Sequence, residues 1–150
     1  MADKQLHLVI QVAPTSKLRA RTVQVRGGMH MTYTPAKTRN AENELKALLL
    51  PFKEQVNGFI PDKETPVYLE IIFYLEKPKT LPKRRTMPIS KPDTDNYLKL
   101  AEDAIGSTLL QGDSQITTIV AKKRYGYPPR IELLLEVDSR IDCGKLLEVT

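Results

Sequence analysis

The sequence predicts one α/β domain of the α+β kind, a mixed sheet with helices packed on it. Three observations predict it. Val67 to Leu75 (VYLEIIFYL) is a nine-residue run of β-branched, aromatic and long apolar side chains broken by one acid, the composition of a central strand. Residues 95–105 carry Tyr97, Leu98, Ala101, Ala104 and Ile105 at helical spacing, which makes one apolar face. Two further strand-like runs, Ile116 to Tyr125 and Arg130 to Val137, follow that helix. A chain of 150 residues is the size of one domain and buries a core without disulfides. Residues 1–150 therefore read as one unit, with its core over about 6–137.

The remaining elements follow in order. Leu6 to Val12 (LHLVIQV) alternates and reads as a strand. Thr22 to Arg26 and Met29 to Tyr33 flank Gly27-Gly28, a hairpin signal because both turn positions tolerate positive φ. Pro35 opens a helix whose stripe is Ala41, Leu45, Leu48 and Leu49, and Pro51 ends it. Asn57-Gly58 and Pro61-Asp62 mark turns. Lys77 to Pro92 holds prolines at 78, 82, 88 and 92 among six basic residues. That density blocks regular structure and predicts a loop, mobile without a partner. Gly106 is the expected helix stop. Pro128-Pro129 marks the turn between the last two strands, and residues 138–150 carry no clear signal.

Charge is unevenly placed. The net charge is +5. Between Lys4 and Asn43 the one acid is Glu42, against Lys4, Lys17, Arg19, Arg21, Arg26, Lys37 and Arg39. Lys77, Lys79, Lys83, Arg84, Arg85 and Lys91 form a second block without acids, and Lys122-Lys123-Arg124 a third. Such blocks joined in space make a polyanion footprint. The expected DNA-contacting residues are Lys17, Arg19, Arg21, Arg39, Lys83, Arg84, Arg85 and Lys91. One cysteine, Cys143, excludes a disulfide within the chain and a cysteine-built zinc site. His7 and His30 lack ligand spacing. The N-terminus lacks a signal-peptide layout, and the longest apolar runs are too short to span a bilayer. These features predict a cytoplasmic protein without membrane partners.

Against this basic background stands Asp93-Thr94-Asp95-Asn96, with Lys99, Asp103 and Asp113 downstream. Oxygen donors without nearby His or Cys suit a hard cation, Mg²⁺ or in its place Mn²⁺. The plainer reading is that Asp93 and Asp95 cap a helix and favour its dipole. Lys99, four residues after Asp95, would on that reading be a helix-stabilising ion pair. A carboxylate at a helix start and another at the next strand mouth are expected to converge, since consecutive elements pack as neighbours.

These residues carry a resemblance. KPDTDNYLKLAEDAI, then GDSQI, AKKRYG and RIELLLEV resemble the RusA family of Holliday-junction resolvases. The upstream SKLRARTVQVRGGMHMTYTPAKTR is similar too, so the likeness covers roughly residues 6–137. It departs at Gly112, where many members have Asp, and at Ala20, where a proline is usual. The resemblance implies a RusA-like fold and a homodimer that nicks opposing strands of four-way DNA junctions. It implies Asp93, Asp95 and Asp113 as metal-binding catalytic carboxylates and Lys99 as the catalytic lysine. Asp103 matches a recurring helix acid without an assigned role.

Two other readings compete. A non-catalytic basic DNA-junction or duplex-binding protein would use the same cations and need none of the acids. A sugar-nucleotide transferase could use Asp-x-Asp, but nothing Gly-rich precedes the motif.

Overall fold

A computed structural model describes residues 4–140. Cys143 and the rest of 141–150 lie outside the described residues. The element order is β1 (Gln5–Ile10), β2 (Arg21–Gln24), β3 (His30–Tyr33), α1 (Ala36–Leu49), α2 (Lys53–Asn57), β4 (Val67–Leu75), α3 (Thr94–Thr108), β5 (Ile116–Tyr125) and β6 (Arg130–Val137). The expected mixed sheet is present, in the order β1-β6-β4-β5. β6 runs antiparallel to both β1 and β4, and β4 and β5 are parallel. A parallel pair needs a long crossover, and the basic loop with α3 supplies it.

Strand parity sets the core. Registered neighbours form rows across the sheet: Leu6–Leu135–Leu69–Ile119, then Leu8–Leu133–Ile71–Ala121, then Ile10–Ile131–Phe73–Lys123. The first three members of each row are buried, and they join Leu45 and Leu49 of α1 and Leu100, Ala101, Ala104 and Ile105 of α3 in one cluster. Each such Leu or Ile contributes about 1.5–3 kcal/mol relative to exposure. Among the described residues, helices cover this face alone. The other face carries Glu70, Ile72, Tyr74, Lys122, Glu132 and Leu134, all half-buried. It is laced by Lys122 Nζ to Glu70 at 3.0 Å and by the Arg130 guanidinium 4.0 Å from the Tyr74 ring centre.

The hairpin forms as expected, with Gly27 at φ +93° and Gly28 at φ +81°. Every residue of β2 and β3 is exposed, so it stands off the body as an arm. Two details depart from the reading of the sequence. A five-residue helix, α2, occupies Lys53–Asn57. Gly106 does not stop α3, which runs on to Thr108. A Cβ at 106 would meet the Asp113 Cβ at 2.9 Å and its backbone N at 3.0 Å. The glycine serves a close approach rather than a termination.

The Lys77–Pro92 loop is a chain of hydrogen-bonded turns rather than a slack segment. Amides of Leu81, Arg85 and Ile89 donate to the carbonyls of Pro78, Pro82 and Met87. Lys77 Nζ donates to the Pro82 carbonyl at 3.0 Å. Among the described residues no helix is long and apolar enough to cross a membrane.

Candidate functional site

Asp93 stands at the N-cap of α3, but its side chain makes no capping hydrogen bond. Its carboxylate instead accepts from Lys91 Nζ at 3.0 Å. Asp95, in the first helical turn, pairs with Lys99 at 3.3 Å. All four side chains are half or more exposed. Exposed pairs of this kind are worth about 0–1 kcal/mol, so either lysine can leave for a stronger anion. The plainer reading holds for Lys99 and Asp95, which do form the i, i+4 pair. It does not hold for Asp93 as a side-chain cap.

The extended segment after β1 completes the site. The Lys17 amide donates to the Asn96 carbonyl at 2.9 Å, and the Leu18 amide to the buried Thr38 Oγ1 at 3.0 Å. Lys17 Nζ reaches the Asp103 carboxylate. That hydrogen bond raises the lysine pKa above its ordinary value against the lowering effect of burial. Asp103 thus has a role: it ties the basic segment to α3. Lys17, Arg19, Lys91, Asp93, Asp95 and Lys99 line one cleft of 560 Å³. Four cations around two carboxylates suit a polyanion drawn to a bound cation.

Asp113 does not join them. It begins the turn before β5, against Gly106 near the C-terminal end of α3. Asp95 and Gly106 are eleven residues apart in that helix, about 16 Å at 1.5 Å per residue. The expected convergence of Asp93, Asp95 and Asp113 within one chain therefore fails. The intervening helix holds its two ends apart. Asp113 stands near Glu102: burial first, then the charges of Asp113 and Asp103, push the Glu102 carboxyl pKa up. Among the described residues no three His, Cys, Asp or Glu side chains gather as a metal site. Two carboxylates still fit Mg²⁺, which is commonly held by one or two acids together with waters and substrate phosphates.

The other expected residues divide. Arg19 lines the cleft, and Arg21, Arg39, Lys83 and Arg84 are exposed, with Arg85 half-buried. The third basic block is not a free patch. Lys122 pairs with Glu70, Lys123 Nζ donates to the Ser90 and Pro92 carbonyls at 2.9 Å each, and Arg124 donates to the Lys123 carbonyl. Sequence reasoning missed that Lys123 supports the loop before Asp93. Its signal was parity: 119, 121 and 123 share one face.

The chain is 29% identical over 80 residues to the uncharacterized protein YqaN of Bacillus subtilis (strain 168), covering 47% of this chain. The chain spans 56% of that relative's length. The family model described as endodeoxyribonuclease RusA matches residues 11–136. That span takes in the hairpin, the cleft, α3 and three of the four strands of the sheet, and the chain belongs to the RusA endodeoxyribonuclease family.

Proposed function

We propose that this chain is a metal-dependent, structure-selective endodeoxyribonuclease that resolves four-way DNA junctions in recombination and repair. The observation that carries the reading is Asp93 at the mouth of α3, spared from capping, beside Asp95 in a cleft rimmed by Lys17, Arg19, Lys91 and Lys99. Asp93 and Asp95 would hold Mg²⁺, or Mn²⁺. When bound, the ion lowers the pKa of an attacking water and offsets charge on the phosphate. Lys99 exchanges Asp95 for the scissile phosphate and stabilises its developing charge. Lys17, Arg19 and Lys91 hold the flanking backbone, and Arg21, Arg39, Lys83, Arg84 and Arg85 extend that grip.

Asp113 enters this reading through a homodimer. β5 is an edge strand of the described sheet, and a ten-residue edge is a template for pairing. Two copies joined antiparallel along β5 around a two-fold axis would set the start of one β5 beside the end of the other. Asp113 precedes that start, and the Asp93 loop is held over that end by Lys123. The partner's copy of the Asp113 carboxylate would then complete the ligand set that one chain leaves open. Two equal sites suit paired nicks in opposing strands.

The test is a synthetic four-way junction incubated with Mg²⁺ or with EDTA. Paired nicks in Mg²⁺ alone, lost in Asp95→Asn with junction binding retained, are the expected result. Binding without nicking would favour a non-catalytic junction- or duplex-binding protein, the reading that the Lys91–Asp93 and Lys99–Asp95 pairs support.

A further inference from the structure

We propose that Lys123 is a positioning residue that fixes the loop carrying Asp93, and so sets the placement of the carboxylate pair for cleavage. The inference rests on the nuclease reading above. Two observations carry it.

The first is where Lys123 stands. In the row Ile10–Ile131–Phe73–Lys123, the three partners are buried core residues. Parity places Lys123 on the helix-covered face, where Ile119 and Ala121 precede it in phase. Phe73 beside it stacks on Tyr97, one turn into α3, with ring centres 5.6 Å apart. Lys123 is itself half-buried, so its stem lies along this face while its ammonium reaches the loop at the sheet's edge. An apolar residue would fit the row better on packing grounds alone.

The second is what Lys123 touches. Its ammonium donates to the carbonyls of Ser90 and Pro92, each at 2.9 Å. These bracket Lys91 and end one residue before Asp93. Among the described residues it has no carboxylate partner. Lys122 and Arg130, on the opposite face, each pair with a glutamate instead. The strand end is thus bonded directly to the loop. Without this link, the stretch before Asp93 has the Ile89 amide bond to Met87 at one end and the Asn96 amide bond to Asp93 at the other. Charge-assisted bonds to carbonyls are worth more than neutral ones, and the loop they fix bears the acid that must be placed to within a fraction of an ångström.

The test uses the full chain and two variants, Lys123→Met, which keeps the stem and removes the donors, and Lys123→Arg, which restores donors. Amide hydrogen exchange on metal-free protein comes first, since it needs no activity. Lys123→Met is expected to speed exchange of the Ile89 and Asn96 amides, the hydrogen-bonded ones that flank the loop, by about tenfold while β1 and β6 stay protected, with Lys123→Arg returning it toward wild type. On a four-way junction, Lys123→Met is expected to lower kcat about 100-fold, the scale of a misplaced reacting group, with Kd for the junction within about twofold of wild type. Lys123→Arg should recover most of kcat. Unchanged exchange overturns the proposal. So does faster exchange with unchanged kcat, and so does a loss of junction affinity that accounts for the lost nicking, the mark of a simple phosphate contact. If the wild-type chain nicks no junction, the nuclease reading fails and the exchange result still decides whether Lys123 holds the loop.

Discussion

Lys91 Nζ lies 3.0 Å from the carboxylate of Asp93, and that carboxylate caps no backbone amide of the helix it begins. An acid at a helix start that does no capping is available for other chemistry. Asp93→Asn should therefore leave urea stability within about 1 kcal/mol of wild type, the reach of a dipole effect, while removing Mg²⁺-dependent nicking. A loss of 2 kcal/mol or so, as for a deleted cap, with nicking retained, would return Asp93 to a structural role.

Asp95 and Asp113 belong to opposite ends of α3. Mixing two inactive variants separates the arrangements. In a heterodimer of Asp95→Asn with Asp113→Asn, sites built across the interface leave one site wholly wild type, and single-strand nicking returns. Sites built within one chain leave both sites damaged, and no nicking returns. Activity in Asp113→Asn alone would remove that residue from the chemistry.

A Cβ added at Gly106 would meet the Asp113 backbone N at 3.0 Å and its Cβ at 2.9 Å. Gly106→Ala should destabilise by roughly 1–3 kcal/mol through overpacking, despite alanine's better helix propensity. Equilibrium urea unfolding checks the sign. A stabilised variant would mean that the turn before β5 shifts freely.

Lys83 and Arg84 are exposed on the turn-rich loop, and Arg85 is half-buried. Each lost phosphate contact lowers the slope of log K against log salt by about 0.9. Changing all three to Ala should flatten the slope for junction binding by roughly 2.7. An unchanged slope would take this loop out of the interface.

The Asp138 carboxylate accepts from Thr117 Oγ1, Thr118 Oγ1 and the Arg140 amide, which lower its pKa from 3.8 to about 2. A depressed carboxylate contributes stability above its unfolded value and loses it as pH falls through the folded one. Wild type should thus be more stable than Asp138→Asn by a constant margin above pH 3.8 that shrinks toward pH 2. Urea midpoints across that range are the measurement. A margin that persists at pH 2 would assign the effect to packing.

Most elements were legible because their signals are local. The alternation of β1 and β6, the Gly-Gly turn and the apolar face of α3 each need only a short window of sequence. α2 was not legible, because its five residues, Lys53–Asn57, are too few for a helical period. The cleft was half legible. Asp93, Asp95 and Lys99 share one helix start, so their proximity follows from spacing. Lys17 and Arg19 reach them only because Asn96 and Thr38 receive the backbone of a segment many residues away. The place of Asp113 was misjudged by treating neighbouring elements as neighbouring ends, when a fifteen-residue helix separates those ends. Lys123 was misjudged by reading three consecutive basic residues as one patch, when a strand sends alternate side chains to opposite faces.

The sheet order has a bearing on how the molecule is made. β6, the last strand among the described residues, lies between β1 and β4, so β1 has no sheet partner until synthesis passes residue 137. Until then the nascent chain carries β4 beside an unfilled lane, its apolar face exposed to solvent and to chaperones. Commitment to the native state waits for β6, which closes the middle of the sheet.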